Sequence, residues 1–305
     1  MAGDWESVFS GWARPPGQAE TDRIENAIRA IRKALDADSA LRPLTKVFVQ
    51  GSYRNRVNVR RDSDVDIGVL YTGNSFGTYY PPGTTGDTFG NVAVDYGQAD
   101  FKNDVEHALV AAFGRQAVTR GNNAFHIHEN SYRIDADVVP LFTYRQYVAD
   151  SNYICGVQLY PDRGSRIINW PERLYDDRHW PNQHYENAIA KNSATNRAYK
   201  GAVRILKTLR NRMAAEGVPA AGPVPGFFVE CLVWNTPNHC CSHATWDAVV
   251  QSVLLHLWSN TKTDEACLEW GEVSELKYLF KGSPGSKRQQ AHDFADEAWS
   301  HVGVR

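Results

Sequence analysis

The chain has 305 residues, 42% of them hydrophobic, which is enough for two domains with separate cores. Its 33 Lys and Arg against 35 Asp and Glu leave a net charge of -2, which argues against a general nucleic-acid binder, and no run of about 18 apolar residues offers a membrane span. Met1 to Pro16 lacks the basic-then-apolar order of a signal peptide, and 5 cysteines do not make a disulfide framework in a chain of this length, so a reducing, cytoplasmic location is expected.

Taken in chain order, Ile24, Ala27, Ile28, Ile31 and Leu35 recur at helical spacing and predict an amphipathic helix over Glu20–Ala37, with Thr21 or Asp22 as caps. A strand follows over Thr45–Gln50, then a turn at Gly51-Ser52, then a strand over Val65–Tyr71. Thr72–Ala99 is rich in Gly, Thr, Tyr and Pro and reads as a long surface insertion. Lys102–Phe113 suits a helix. Val118–Thr119 and Ala124–Glu129 suit a hairpin turning through Gly121-Asn122-Asn123, and Tyr132–Phe142 another strand. Beyond Pro140 the pattern becomes helical, over Gln183–Ala215, Phe227–Trp234, Ala244–Trp258, Asp264–Phe280 and Ser286–Val302. The expected fold class is therefore α/β (α+β). A strand-rich part over residues 1–150 and a helical lobe over 151–305 would divide between about Leu141 and Asn182.

Asp64 and Asp66 lie one residue apart at the start of a strand, where alternate side chains share a face. Two carboxylates so placed repel each other unless a cation sits between them, and paired Asp oxygens suit Mg²⁺ with a substrate phosphate. Gly51 lets backbone approach a phosphate closely, and Ser52 adds a hydroxyl. Asp-x-Asp alone is common on surface strands; the preceding Gly-Ser turn gives it weight. Asp135 and Asp137 in Tyr132-Arg133-Ile134-Asp135-Ala136-Asp137-Val138-Val139-Pro140 supply a third carboxylate, and three converging carboxylates can hold two metal ions.

Gly51-Ser52, the Asp64/Asp66 pair and the later Asp137-Val138-Val139-Pro140 resemble the DNA polymerase β-type nucleotidyltransferase superfamily. Gly51-Ser52-Tyr53-Arg54-Asn55-Arg56-Val57-Asn58-Val59 is similar to the bacterial CD-NTases, relatives of cyclic GMP–AMP synthase and oligoadenylate synthase that make cyclic oligonucleotide signals in anti-phage defence. Ile168-Asn169-Trp170-Pro171, His184-Tyr185-Glu186-Asn187 and Lys191-Asn192-Ser193-Ala194-Thr195 carry the resemblance onward, to about residue 240, and the pattern looks most like the clade with pyrimidine-using enzymes. The resemblance implies a polymerase β-like catalytic core with a mixed sheet over residues 1–150 and a mostly helical second lobe, with the N-terminal helix packing across both. It implies that Asp64, Asp66 and Asp137 bind two Mg²⁺ ions, with Mn²⁺ as an alternative, and that Asp137 helps deprotonate the acceptor hydroxyl. Gln50, Gly51 and Ser52 would hold the triphosphate.

Arg197, Lys200, Arg204 and Lys207 fall on one helix face; the plain expectation is a solvated stripe, and the resemblance makes Lys200 a donor-phosphate ligand. Asn169 stands where the family reads a base edge, as an amide can, and an Asn there accompanies use of a pyrimidine; a turn cap before Trp170-Pro171 is the competing reading. Gly226-Phe227 departs from the Ser-aromatic pair of relatives: the ring is kept, for stacking on a base or for the core, and the hydroxyl is lost. His239-Cys240-Cys241-Ser242-His243 invites zinc, but structural zinc needs four well-spread ligands, and a capped helix start with incidental thiols is the expected reading. G-x-x-x-x-G-K-[ST], H-E-x-x-H and C-x-x-C are absent.

The implied activity is the joining of NTPs, ATP and UTP foremost, into a cyclic di- or oligonucleotide with release of pyrophosphate. A downstream effector would read the product, with no membrane and no obligatory nucleic acid involved. One alternative is transfer of a nucleotide to an RNA, protein or small-molecule acceptor. Another is a catalytically silent nucleic-acid sensor using the Arg197–Lys207 stripe.

Overall fold

A computed structural model describes residues 5–59, 64–148, 152–169, 183–282 and 285–303. The chain forms two compact units. One comprises residues 17–54 and 64–182, and the other residues 1–16, 55–63 and 183–305. This differs from a cut at residue 150: the strand-rich unit continues through residues 152–169, and two earlier segments join the helical one.

The first unit is built on one sheet. Its strands are β1 (Thr45–Val49), β2 (Val65–Tyr71), β3 (Gly77–Tyr79), β4 (Val118–Arg120), β5 (Phe125–Ile127), β6 (Ala136–Tyr147), β7 (Tyr153–Leu159) and β8 (Ile167–Asn169). The order β1-β2-β6-β5-β4 makes the sheet mixed: β2 is antiparallel to β1 and parallel to β6, and β6 is antiparallel to β5. The far half of β6 pairs with β3 and β7, and β7 with β8. Two helices of this unit, here α2 (Gln18–Ala37) and α4 (Gln98–Phe113), cover one face, where Ile24, Ile31, Phe101 and Val105 pack on Ile67, Val69, Phe125 and Val138. Residues alternate across a strand, so Leu70, Val139 and Leu141 point to the other face, where they cluster with Val157 and Leu159.

Differences from expectation have local causes. Strand β6 runs past Phe142 to Tyr147 because β3 and β7 supply partners that no local pattern announces. The Thr72–Ala99 insertion is pinned rather than loose: the Phe89 ring stacks on Tyr80 and Tyr147, and the Asn91 amide donates to both tyrosine hydroxyls.

The helical unit contains α1 (Trp5–Trp12), α5 (Gln183–Ala194), α6 (Ala198–Ala215), α7 (Gly226–Trp234), α8 (Trp246–Asn260) and α9 (Ser286–His301); the short α3 (Gly51–Arg54) belongs to the sheet unit. The single helix expected over Gln183–Ala215 is broken, because Asn196 and Arg197 take left-handed conformations at φ 50° and 68° and the Thr195 hydroxyl accepts from the Tyr199 N–H to restart the helix. Asp264–Phe280 is not a helix. Glu275 sits at φ 58°, and a Gly271–Tyr278 bridge folds the segment into turns. Helix α6 is central and buried from Tyr199 to Lys207 without a break. No helix among the described residues is long and apolar enough to cross a membrane.

Candidate active site

The sheet brings the carboxylates together by register. Asp66 of β2 is paired with Asp137 of parallel β6, and His126 of β5 is paired with Asp137 from the other side. Asp66 and Asp137 have the parity of Leu70 and Leu141, so they stand on the face away from α2 and α4. Asp64 immediately precedes β2. Its carboxylate, the His126 imidazole and the Asp137 carboxylate each present an atom within 4.8 Å of the others. The Asp64 and Asp137 side chains keep 46% and 39% of their surface open, so a ligand can reach them.

The Gly51-Ser52 turn is locked to the same place. The Gln50 N–H donates to the Asp66 carbonyl at 3.0 Å, which seats the turn on β2. Gly51 has φ +69°, and a Cβ there would lie 2.1 Å from Asp66 Oδ2. Only glycine combines that conformation with that approach. Ser52 follows in α3, half-buried.

His126 was not singled out in the sequence. Its Nδ1 lies 3.2 Å from Asp137 Oδ1 and 3.7 Å from Asp64 Oδ2, and its Nε2 lies 3.5 Å from Asp135 Oδ1. A lone His in a three-residue strand carries no local signal; only the β5–β6 register places it. Asp135 is more than an ordinary surface residue: its Oδ1 also accepts from the Glu129 N–H at 2.6 Å.

The basic stripe of α6 is corrected. Arg197 is exposed, but Lys200, Arg204 and Lys207 are buried. Arg204 donates to the carbonyls of Ala13 and Arg56, and Lys207 Nζ lies 3.1 Å from Glu230 Oε2. These cations tie the helical unit together and form no solvated or nucleic-acid-binding face. Lys200, 8% exposed, ends 5.8 Å from the Tyr185 ring centroid.

Phe227 is 48% exposed at the start of α7, so it is not a core ring; it lies 6.0 Å from the His184 ring at 30°. A Cβ on Gly226 would meet Lys207 Cε at 3.7 Å, an ordinary contact, so packing does not forbid a hydroxyl-bearing residue there. Asn169 closes β8 opposite Val157 and is exposed, a strand position; Trp170-Pro171 and Leu174–Asn182 lie outside the described residues. Cys240 and Cys241 are buried in a single helical turn, where burial pushes the Cys241 thiol up to about 11. Among the described residues, the groups able to share an ion surround His126, not His239.

A profile of the cGAS/DncV-like nucleotidyltransferase C-terminal helical domain matches residues 186–303. The chain is 36% identical to the cyclic dipyrimidine nucleotide synthase CdnE of Cecembia lonarensis over 99% of both chains. The structure of the Elizabethkingia meningoseptica CdnE cyclic dinucleotide synthase, with GTP and Apcpp, superposes with a TM-score of 0.78 at 32% identity, over 98% of this chain and 99% of that one. The Rhodothermus marinus CdnE c-UMP-AMP synthase, with Apcpp and Upnpp, gives 0.77 at 28%, over 98% of both. With a mixed sheet that gathers its carboxylates beside a Gly-Ser turn, a helical unit that matches the family profile and full-length kinship to CdnE synthases, the chain belongs to the bacterial CD-NTases, the nucleotidyltransferases that join NTPs into cyclic nucleotide signals.

Proposed function

We propose that the protein is a Mg²⁺-dependent synthase that joins two or more NTPs into a cyclic oligonucleotide with release of pyrophosphate, and that it acts in anti-phage signalling. The observation that carries this reading is the meeting of Asp64 and Asp137, with Asp66 in register beside them, at the Gly51 turn. Their oxygens fit hard divalent ions, which bind through one or two carboxylates and substrate phosphates. Two such ions, or Mn²⁺ in their place, would neutralise charge at the α-phosphate and the departing pyrophosphate.

The chain's own residues do the rest. The Gly51 backbone N–H and the Ser52 hydroxyl hold the triphosphate, with the Gln50 side chain beside them. Asp137 receives the proton of an acceptor 2′- or 3′-hydroxyl. That oxygen bonds to the α-phosphorus as the bond to pyrophosphate breaks. A second such step on the linear product closes the ring. Positioning and electrostatics supply most of the acceleration. Gly51→Ala is expected to push the Asp66 carboxylate aside and lower turnover about 100-fold, the usual consequence of an ångström of misplacement; initial rates of pyrophosphate release measure it.

In the helical unit, Lys200 is assigned to the donor phosphates and Phe227 to stacking on a base. Base–aromatic stacking is worth about 1–3 kcal/mol, so Phe227→Ala is expected to raise KM about 5- to 150-fold with a smaller change in kcat. Full saturation curves read this split. ATP and UTP are the proposed substrates, with Asn169 reading a pyrimidine edge. The relatives named above share 28–36% identity with the chain and carry different nucleotide pairs in their names and complexes, so kinship alone does not choose the bases. A cytoplasmic location suits the use of NTPs and the 5 cysteines, all free in the structure. The partner would be a protein that binds the cyclic product.

Incubation with labelled NTPs alone tests the reading. A product resistant to phosphatase and to linear-strand nucleases supports cyclisation. Product only after an RNA, protein or small molecule is added supports transfer to that acceptor instead.

A further inference from the structure

His126 stands among the carboxylates, and the reaction described so far does not use it. Its two ring nitrogens face different groups. Nε2 lies 3.5 Å from Asp135 Oδ1, an oxygen already held by the Glu129 N–H. Nδ1 lies 3.2 Å from Asp137 Oδ1 and 3.7 Å from Asp64 Oδ2. With no ion between the carboxylates, Nδ1 is placed to donate to Asp137 Oδ1; an ion there would take the Nδ1 lone pair instead and leave the ring proton on Nε2, which faces Asp135. Imidazoles that ligate metals turn the second ring nitrogen toward a carboxylate, and Asp135 stands on that side of His126. The ring is also braced by its neighbour. His128 packs edge-on at 4.8 Å and has its own Nε2 2.9 Å from the Thr119 hydroxyl.

We propose that His126 Nδ1 joins Asp64 and Asp137 as a ligand to one divalent ion, and that it makes this position favour first-row transition ions over Mg²⁺. The inference rests on the metal-site reading above and adds a nitrogen donor to it. Mg²⁺ prefers oxygen ligands and near-ideal octahedral geometry, whereas transition ions gain from an imidazole. Asp66, turned toward Gly51, remains an all-oxygen contributor. Asp135 is a positioning residue, acting through the ring.

The test uses the full chain, stripped of metal, with Mn²⁺ alone as the probe. Electron spin-echo modulation of the bound Mn²⁺ should show coupling to one imidazole nitrogen, and His126→Ala should remove it. Titrations followed by the free-ion EPR signal should show Mn²⁺ affinity falling about tenfold or more in His126→Ala. Mg²⁺ affinity, read by competition, should change by less than about twofold. Absence of nitrogen coupling in the wild-type protein overturns the proposal, whether or not the variant folds. So does a coupling that survives in His126→Ala, or an equal loss of affinity for both ions. Failure of the nucleotidyl-transfer reading would appear separately, as no pyrophosphate release with any ion.

Discussion

Replacing Asp64 and Asp66 together by Ala is expected to lower pyrophosphate release from NTPs by at least about 1000-fold while the fold survives. The site stabilises charge at a phosphorus by several kcal/mol, and each 1.36 kcal/mol or so is worth a factor of ten in rate. The fold should tolerate the change for two reasons. The Asp64 side chain is 46% open to solvent, and removing like charges from one face relieves their repulsion. Asp64 should therefore contribute no more than about 0.5 kcal/mol, as at most open positions, and half-buried Asp66 about 1 kcal/mol. Turnover within about tenfold of wild type in a folded double variant would remove these residues from the chemistry.

The second large effect is on stability. Glu230 of α7 is fully buried, with Lys207 of α6 at 3.1 Å and His184 of α5 at 3.1 Å, and the Asn55 amide lies 2.8 Å from the same His184 nitrogen. Glu230→Ala leaves the Lys207 ammonium buried without its carboxylate, and breaking a buried pair in this way costs about 3–5 kcal/mol. Denaturant unfolding followed by tryptophan emission measures it in the right place, because every tryptophan among the described residues packs against the core of the helical unit. A loss below about 1 kcal/mol would mean that water reaches the network. Acidity offers a second reading. Burial works to raise the Glu230 pKa, but the Lys207 charge and the His184 hydrogen bond outweigh it and hold the carboxyl at about 2, below its ordinary 4.5. The unfolded chain therefore takes up this proton first. The stability that Glu230 confers is complete above pH 4.5 and is lost as pH falls from there toward 2. Glu230→Ala should flatten the stability profile in that window.

What could be read in the chain, and what could not, follows from how far apart the interacting residues lie. Gly51 and Asp66 are near in sequence, and their chemistry is local: a glycine at φ +69° with a carboxylate against its Cα, at the start of a strand. The partnership with Asp137 was legible because its strand carries a recognisable Asp-Val-Val-Pro end. His126 was not, since a strand of three residues shows no periodicity and its position opposite Asp137 is a matter of register. The α6 stripe was misread for a different reason. Three-residue and four-residue spacing says which side chains share a face, not whether that face meets water. Here Arg204 finds backbone carbonyls of Ala13 and Arg56, from segments far away in sequence, and Lys207 finds Glu230. The same distant segments explain the altered division of the chain, because residues 5–16 and 55–59 group with helices that begin at residue 183. Phe227 shows the converse: base rates favour the core slightly for such a ring, and its place at the first turn of α7 leaves it exposed.

Mass spectrometry of the products formed from all four NTPs with Mg²⁺ tests the central claim most directly. A cyclic product has lost one water per phosphodiester relative to its nucleoside monophosphates and retains no terminal phosphate. The account predicts such a mass, with at least one pyrimidine in the ring, and its disappearance when Asp64 and Asp66 are replaced by Ala. Linear products that keep a 5′-triphosphate, or nucleotide attached only to an added acceptor, would contradict it.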